Sequence, residues 1–321
     1  MVTQSKNNAS KNQSKKHVVS LYDILKKHNG VRANGTTASS STRQARRRIL
    51  RQAFKFLKKR FPKLEDITKF KERHVIALAE EWEKQMLNAS TIQTRFSILR
   101  VFCGWLGKVG MVRKTECYFS DPELVKRSYI TRTDKSWSGN SVDFEEVITK
   151  VKAMDIYIAL ALESMRLFGF RRKEAVMFSP HASEDGILVQ ISQGAKGGRE
   201  RAVPILSASQ KEFLIRARKL IKPSQTLAGP GRNLKQALRR FSYVLTSFGV
   251  TKKILKVTGH GLRSEYAQNR LKMLSGHDAP VKNPLSYPDA ETELQARKDI
   301  SKELGHSRVG ITNNYFGKKK K

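Results

Sequence analysis

The sequence predicts a mainly α-helical protein with one small antiparallel β-sheet, divided into two domains. Three observations support this fold class. Apolar residues recur at helical spacing in long runs after residue 42. Alternating apolar residues, the pattern of a half-buried strand, mark a hairpin around residues 187–191 and 203–205. The length of 321 residues exceeds that of most single domains, which suggests two.

The composition indicates a polyanionic partner. Lysine and arginine number 63 against 28 acidic residues, which gives a formal net charge of +35. Neutralising backbone phosphates releases counterions and supplies affinity that does not depend on sequence. Ribosomal and chromatin proteins have such charge too, so the charge indicates the partner and leaves the activity open.

Several classes of site and location are not indicated. Cys103 and Cys117 form no CxxC pair, so the sequence suggests neither a disulfide framework nor a zinc finger. The seven histidines are scattered, and no HExxH motif or carboxylate cluster suggests a catalytic metal. No apolar run approaches the length of a membrane span, and the N-terminus lacks an apolar signal core. The expected location is the cytoplasm.

Residues 1–42 are predicted to be a basic, disordered tail. Serine, asparagine, threonine and lysine dominate there, and such a composition buries too little surface to offset the entropy lost on ordering. One short apolar run at residues 18–25 could form a turn or two of helix.

Residues 43–112 have the 3.6-residue period of amphipathic helices in a basic context. Helices are predicted around residues 49–57 and 70–87, and a third is predicted to be capped by Ser90 or Thr91. The predicted inward residues are Ile49, Ala53, Phe56, Leu57, Val75, Leu78, Ala79, Trp82, Ile92, Phe96, Leu99, Cys103 and Leu106. The pattern predicts a basic helical bundle.

Residues 113–140 lack periodicity and are predicted to be a linker, and residues 141–321 to be the second domain. Ser141 is predicted to cap a helix over residues 144–151, and residues 156–168 form the most apolar helical run of the chain. The hairpin and two helices, at residues 209–221 and 233–248, follow. This domain should therefore be mainly helical with a small sheet.

A cluster of polar side chains is expected near the end of the chain. His260 and Arg263 are three residues apart, so on a helix they share one face. His306 and Tyr315 follow, and all four carry donors that need partners if buried. Such a group is poor core material and suits a phosphate. Upstream, Arg171 follows a buried helix, and Lys196 lies at the tip of a glycine-rich turn.

One ordered set of residues resembles the active-site signature of the tyrosine recombinases, the phage-integrase family: Arg171, Lys196, His260-x-x-Arg263, Leu304-Gly305-His306 and Tyr315. Each residue alone has a structural explanation, such as an Arg171–Glu174 surface ion pair, but the order is specific. The resemblance implies a helical (SAM-like) core-binding domain at residues 43–112 and a tyrosine-recombinase catalytic domain at residues 141–321. The linker would let both close around duplex DNA.

The resemblance also implies the chemistry. Members of the family cut one DNA strand with a tyrosine hydroxyl, form a 3′-phosphotyrosyl link and release a 5′-hydroxyl that later attacks in reverse. Tyrosine has a reference pKa of about 10 and needs activation at neutral pH. By resemblance Tyr315 is the nucleophile, and Arg171 and Arg263 hold the non-bridging phosphate oxygens, since a planar guanidinium matches two oxygens at once.

Three further roles follow from the same resemblance. Lys196 is expected to protonate the leaving 5′-oxygen as general acid, and His260 to act as general base toward the nucleophile. His306 is expected to hydrogen-bond the phosphate. Neither a metal ion nor another cofactor is implied.

Two features depart from the family pattern. The spacer between Arg263 and His306 is long and contains a polar, proline-bearing run at residues 276–288, which we expect to be an insertion loop over the site. His277 and Tyr287 lie in it and compete with the assigned histidines and tyrosine, but each lacks the flanking motif. After Tyr315 only Phe-Gly and four lysines remain, so the mode of tetramer assembly is left open.

Three hypotheses follow. The first is a site-specific DNA recombinase or integrase of a mobile genetic element or chromosome, acting as a homo-tetramer on two double-stranded DNA sites, with accessory DNA-bending proteins as further partners. The second is a type IB topoisomerase, which uses similar groups but relaxes supercoils as a monomer. The third is a catalytically inactive DNA-binding protein. The domain order and the Leu304-Gly305-His306 motif favour the first, and possession of all six groups argues against the third.

Overall fold

The computed structural model describes residues 18–32, 34–182, 187–192, 200–285 and 288–318. The chain divides into two compact units, Met1–Arg127 and Ser128–Lys321, each with its own hydrophobic core. Over the described residues the architecture is mainly helical with one two-stranded antiparallel sheet. The fold class predicted from the sequence is therefore confirmed.

The first unit is a helical bundle around an aromatic core. Its helices are α1 Leu21–His28, α2 Ser40–Arg60, α3 Glu72–Lys84 and α4 Ala89–Trp105, with short 3-10 helices at Ile67–Lys69, Thr115–Tyr118 and Pro122–Val125. The rings of Phe54, Phe70 and Phe102 pack at tilted and edge-on angles, with centroids 5.2 to 5.6 Å apart. The predicted inward residues are buried, except Phe56 and Leu106, which are half-buried.

The described part of the predicted tail, residues 18–32 and 34–42, is folded, and its short apolar run forms the expected helix α1. The helix α1 begins at a capping box, in which Ser20 Oγ accepts from the Asp23 N–H at 3.3 Å and the Asp23 carboxylate accepts from the Ser20 N–H at 3.0 Å. Ile24 and Leu25 are buried in the core of the unit. The apolar run at residues 18–25 supplies this helix, because a short amphipathic helix needs only a narrow apolar face.

The predicted linker, residues 113–140, is packed rather than extended, and the boundary between the units divides it. Before that boundary Val125 is fully buried in the first unit. After it Trp137 is fully buried in the second unit and donates its indole N–H to the Thr258 carbonyl at 2.9 Å. Periodicity did not predict this packing, because it detects a repeating apolar face, whereas here single residues in short turns are buried.

The second unit contains eight described helices and the sheet. The elements are α5 Phe144–Met154, α6 Ile156–Phe168, α7 Arg172–Met177, β1 Leu188–Ile191, β2 Arg201–Pro204, α8 Ala208–Leu220, α9 Leu234–Ser247, α10 Gly259–Ser275, α11 Ala290–Glu303 and α12 Asn313–Phe316. Short 3-10 helices lie at Ser138–Asn140, Pro180–Ala182 and Val309–Thr312. The apolar helix α6 is central, because α5, α7, α8 and α10 all pack on it.

The predicted hairpin is present, with Val189 opposite Val203 in an antiparallel register. Its tip, which includes Lys196, lies outside the described residues. None of the described helices combines the length and the apolar character that crossing a membrane requires.

Two predicted helix caps are corrected. Asn88 caps α4, because its Oδ1 accepts from the Thr91 N–H at 2.9 Å. Asp143 caps α5, with Oδ1 accepting from the Glu145 N–H at 2.8 Å. Ser141 has left-handed backbone with φ of 55°, which is not the extended conformation usual for an N-cap.

Candidate active site

The centre of the candidate site is Arg263, in the first turns of α10. Its side chain is fully buried, and its guanidinium donates to the carbonyls of Gly169 and Leu304, the second at 2.6 Å. Gly169 ends α6 with φ of 63°, so its carbonyl leaves the helix and becomes available. Burial lowers the pKa of Arg263 to about 10, so the guanidinium stays charged at neutral pH.

The Tyr315 hydroxyl lies directly on this guanidinium. Arg263 Nε donates to the hydroxyl at 3.0 Å, and the Tyr315 side chain is largely buried. His306 Nε2 is 3.0 Å from Arg263 Nη2 and 3.4 Å from the hydroxyl. Because a guanidinium only donates, Nε2 is the acceptor in its contact with Arg263.

Arg171 is brought to the same place by the turn that follows α11. Its Nη2 donates at 2.9 Å to the Leu304 carbonyl, which also accepts from Arg263. Gly305 continues this turn with φ of 63°, and the His306 N–H closes it on the Ser301 carbonyl at 2.8 Å. The Leu-Gly-His sequence therefore forms a C-terminal helix cap that links both guanidiniums through one carbonyl oxygen.

A buried carboxylate, Glu174, neutralises part of this charge. Arg201 binds it through both terminal nitrogens at 2.6 and 3.0 Å, and Arg171 Nη1 donates to it at 2.7 Å. The nearest Arg263 nitrogen is 3.9 Å away. Burial alone would raise the pKa of Glu174, but the hydrogen bonds and charges of Arg201 and Arg171 outweigh it and hold that pKa at about 2. Glu174 is therefore ionised at every physiological pH.

Sequence reasoning missed this part of the site. Glu174 enters the sequence analysis only as the partner in an alternative surface ion pair with Arg171, yet its side chain has no exposed surface. Arg201 was not singled out, although it also donates from Nε to the Glu303 carbonyl at 2.7 Å. The available signal was an arginine at an inward or edge position of a predicted strand, where a charged residue requires a partner.

His260 lies at the edge of the cluster, in the first turn of α10. Its ring centroid is 6.0 Å from that of Tyr315. The residue as a whole is exposed, although its ring lies close to the buried cluster. Partial desolvation and the positive charges of Arg263, Arg171 and Lys135 lower the pKa of His260 to about 4. The imidazole is therefore neutral, and able to accept a proton, at neutral pH.

The structure brings together five of the six predicted site residues: Arg171, His260, Arg263, His306 and Tyr315. The sixth, Lys196, lies outside the described residues, as does Tyr287. The competing His277 follows the far end of α10, and a helix of 17 residues at 1.5 Å per residue puts it about 25 Å from His260 along the axis. Within the described parts of the chain, no three His, Cys, Asp or Glu side chains gather as a metal site requires.

Two family models match the sequence. One, described as phage integrase, N-terminal, matches residues 24–112, and the other, described as integrase, matches residues 132–269. The second match includes Arg171, Lys196, His260 and Arg263 and ends before His306. No curated protein matches the chain in sequence.

The fold is similar to that of solved integrases at low identity. A lambda integrase dimer bound to a COC′ core site is 15% identical with a TM-score of 0.61, covering 92% of this chain and 77% of that one. A lambda integrase tetramer bound to a Holliday junction is 15% identical with a TM-score of 0.60, covering 91% and 76%. The Tn1549 transposon integrase with circular intermediate DNA is 14% identical with a TM-score of 0.55, covering 92% and 94%.

The family models and the similar structures agree with the resemblance that the ordered set of motif residues indicated. The two matched segments fall in the two compact units, and the fold extends over nearly the whole chain. The chain therefore belongs to the tyrosine recombinases, the phage-integrase family.

Proposed function

We propose that this protein is a site-specific DNA recombinase that breaks and rejoins strands through a 3′-phosphotyrosyl intermediate on Tyr315. The observation that carries the proposal is the shared hydrogen-bond cluster. Arg263 donates to the Tyr315 hydroxyl at 3.0 Å and to the Leu304 carbonyl at 2.6 Å, and Arg171 donates to the same carbonyl at 2.9 Å. The candidate nucleophile and both candidate phosphate ligands therefore meet at one point.

The charge of the cluster favours a phosphate diester. Three guanidiniums, of Arg171, Arg201 and Arg263, surround the one carboxylate of Glu174. The group has a surplus of positive charge that a DNA phosphate would balance. Such preorganised donors stabilise the extra negative charge of a pentacoordinate transition state, and removing one donor of this kind from an enzyme costs about 3 kcal/mol of barrier.

The proposed cleavage step is a simple substitution at phosphorus. The Tyr315 oxygen forms a bond to phosphorus, the bond from phosphorus to the 5′-oxygen breaks, and the tyrosine becomes esterified to the 3′-phosphate. The phenol proton passes to His260, whose pKa of about 4 keeps it neutral beforehand. His306 Nε2 is already occupied by Arg263, which favours His260 for this role.

Lys196 donates the proton that the departing 5′-oxygen needs. The released 5′-hydroxyl of one strand then attacks the phosphotyrosyl bond of another, which restores the phosphodiester and frees the tyrosine. Because bond energy is conserved in the ester, the exchange requires no nucleotide cofactor.

The proposed substrate is double-stranded DNA, and the proposed assembly is a homo-tetramer on two sites. The net charge of +35 supports the first proposal. A fold similar to that of a lambda integrase tetramer bound to a Holliday junction supports the second. Similarity to a Tn1549 transposon integrase supports a role in a mobile element.

The test is covalent capture from a random-sequence duplex library that carries 5′-bridging phosphorothiolate linkages. A 5′-thiol leaves readily and religates poorly, so the covalent adduct accumulates. Wild-type protein should retain DNA after denaturation, and mass spectrometry should find the DNA remnant on Tyr315. Sequencing the captured DNA would give the target site. Adduct formation at another residue, or none at all, would refute the proposal.

Two variants assign the roles. Tyr315→Phe should form no adduct yet bind the captured site as tightly as wild type, since it removes a hydroxyl and no charge. Lys196→Ala should slow cleavage of an ordinary 5′-oxygen substrate far more than that of the phosphorothiolate, because the thiolate needs no proton. Equal slowing on both substrates would contradict the general-acid role. Strand exchange between two labelled duplexes, compared with supercoil relaxation, would distinguish a recombinase from a topoisomerase.

A further inference from the structure

The helix that bears Tyr315 depends on contacts from outside itself. The helix α12 has only four residues, far fewer than an isolated helix needs for stability. Three of its backbone carbonyls accept hydrogen bonds from donors outside the helix. The Thr131 N–H donates to the Asn313 carbonyl at 3.0 Å, the Val281 N–H donates to the Phe316 carbonyl at 2.8 Å, and a side chain binds the Tyr315 carbonyl.

That side chain is Gln268, five residues after Arg263 on α10. Its Nε2 donates to the Tyr315 carbonyl at 3.1 Å and to Asp134 Oδ1 at 2.9 Å, and the residue is 2% exposed. Both partner atoms are acceptors, so the amide nitrogen, and not the oxygen, must face them. The amide oxygen has no hydrogen-bond partner among the described residues.

Tyr315 is thus held at both ends by one helix. Arg263 binds its hydroxyl and Gln268 binds its carbonyl. A shift of the backbone at Tyr315 would move the hydroxyl away from the guanidinium, because the side chain between them has only two rotatable bonds.

The same glutamine connects α12 to the segment through which the chain enters the second unit, residues 131–134. Asp134 is itself fixed, because its Oδ1 accepts from the Ser136 N–H at 2.9 Å. The Thr131 carbonyl lies so close to Gly317 that a Cβ on this glycine would be 3.2 Å from it. The segment is only a few residues beyond the boundary between the units, at Arg127.

We propose that Gln268 is a positioning residue for the nucleophile: by tying the Tyr315 carbonyl to Asp134, it sets the position of the Tyr315 hydroxyl relative to Arg263. This inference rests on the proposed function of Tyr315. The entry segment and the nucleophile then move as one body, so a displacement of residues 131–134 changes the position of the attacking oxygen. A misplacement of about 1 Å in a reacting group can slow chemistry by about 100-fold.

The test uses Gln268→Glu, which keeps the shape of the side chain and removes both donors. Single-turnover cleavage of the phosphorothiolate duplex, at saturating DNA, should be about 10- to 100-fold slower than in wild type. The Kd for DNA should stay unchanged, since Gln268 is buried. The matched control is Asn269→Asp, the same chemical change at the next, exposed position of α10, and it should cleave at the wild-type rate.

A pH profile separates positioning from a merely structural role. Burial and the neighbouring Asp134 raise the pKa of a glutamic acid at this position, and its protonated form regains one donor. The ratio of wild-type to Gln268→Glu cleavage rates should therefore shrink as the pH falls from about 8 to 6. A ratio that stays constant with pH, or a variant that cleaves as fast as wild type, would overturn the proposal.

Hydrogen exchange supplies a readout that needs no DNA. Amides in the peptide covering residues 311–318 should exchange at least about tenfold faster in Gln268→Glu than in wild type, because one anchor of α12 is lost. If wild-type protein cleaved no DNA, the proposed function would fail, but the exchange measurement would still show whether Gln268 anchors α12. Exchange rates that are the same in Gln268→Glu and wild type would overturn the proposed role of Gln268. If Gln268→Glu does not fold, Gln268→Met, which has similar length and no donor, takes its place in both assays.

Discussion

Replacing Glu174 by glutamine tests whether one buried carboxylate holds the site's guanidiniums together. The substitution keeps the shape of the side chain but removes the negative charge that Arg171 and Arg201 bind and that lies 3.9 Å from Arg263. The amide also presents N–H groups to residues that can only donate. The site should therefore loosen, and the protein should lose stability.

The magnitude follows from the pKa of Glu174, which is about 2 in the folded protein against the ordinary 4.5 of a glutamate carboxyl group. At 1.36 kcal/mol per pKa unit, the ionised carboxylate stabilises the fold by about 3 kcal/mol. Because the folded-state pKa is the lower one, this stabilisation is fully present above pH 4.5 and is lost as the pH falls toward 2. Between pH 6 and pH 3.5 the contribution of Glu174 to the free energy of unfolding should fall by about 1 kcal/mol.

The assay is urea unfolding of wild type and Glu174→Gln, followed by circular dichroism at several pH values. At pH 7 the variant should be less stable by about 3 kcal/mol, and the gap should narrow on acidification. The matched control is Glu145→Gln, which breaks an exposed ion pair with Arg166 and should cost less than about 1 kcal/mol. A gap below about 1 kcal/mol at pH 7, or a gap that does not change with pH, would refute the reasoning.

Three further outcomes are expected. Tyr315→Phe should lower the unfolding free energy of the free protein by about 1–3 kcal/mol, because it leaves a buried guanidinium N–H unpaired; unchanged stability in urea would speak against that hydrogen bond. Gly261→Ala should destabilise by about 1–3 kcal/mol, since its Cβ would lie closer to the Lys135 carbonyl oxygen than van der Waals contact allows, whereas Gly310→Ala, with open space around it, should be nearly neutral by thermal unfolding. The second-order cleavage constant reports ionisations of the free enzyme, so with the pKa of His260 at about 4 it should show no inflection from that residue between about pH 5.5 and 7.5; an inflection that disappears in His260→Gln would be the contrary result.

Two parts of the fold were predicted incorrectly because the burial of a few single residues leaves no regular pattern in the sequence. The apolar run at residues 18–25 predicted the helix that buries Ile24 and Leu25, but the composition of the tail as a whole predicted disorder, because composition averages over a window while burial depends on one narrow face. The linker prediction could not anticipate the burial of Trp137, since no period marks a single anchoring residue. Lys196 and the hairpin tip, outside the described residues, stay predictions.

The sequence by itself determined the family, the helical architecture and the order of the candidate catalytic groups. Phosphoryl chemistry requires particular residue types, and helices require a 3.6-residue period, so both leave a trace in local sequence. Only the tertiary structure decided that Glu174 is enclosed by arginines and that Gln268 binds both Asp134 and Tyr315. The Gln268–Asp134 contact joins residues 134 positions apart, and the Arg171–Leu304 contact joins residues 133 apart. A polar side chain has the same local sequence whether it faces solvent or a buried partner, and only the packing of distant segments excludes the water that would otherwise replace that partner.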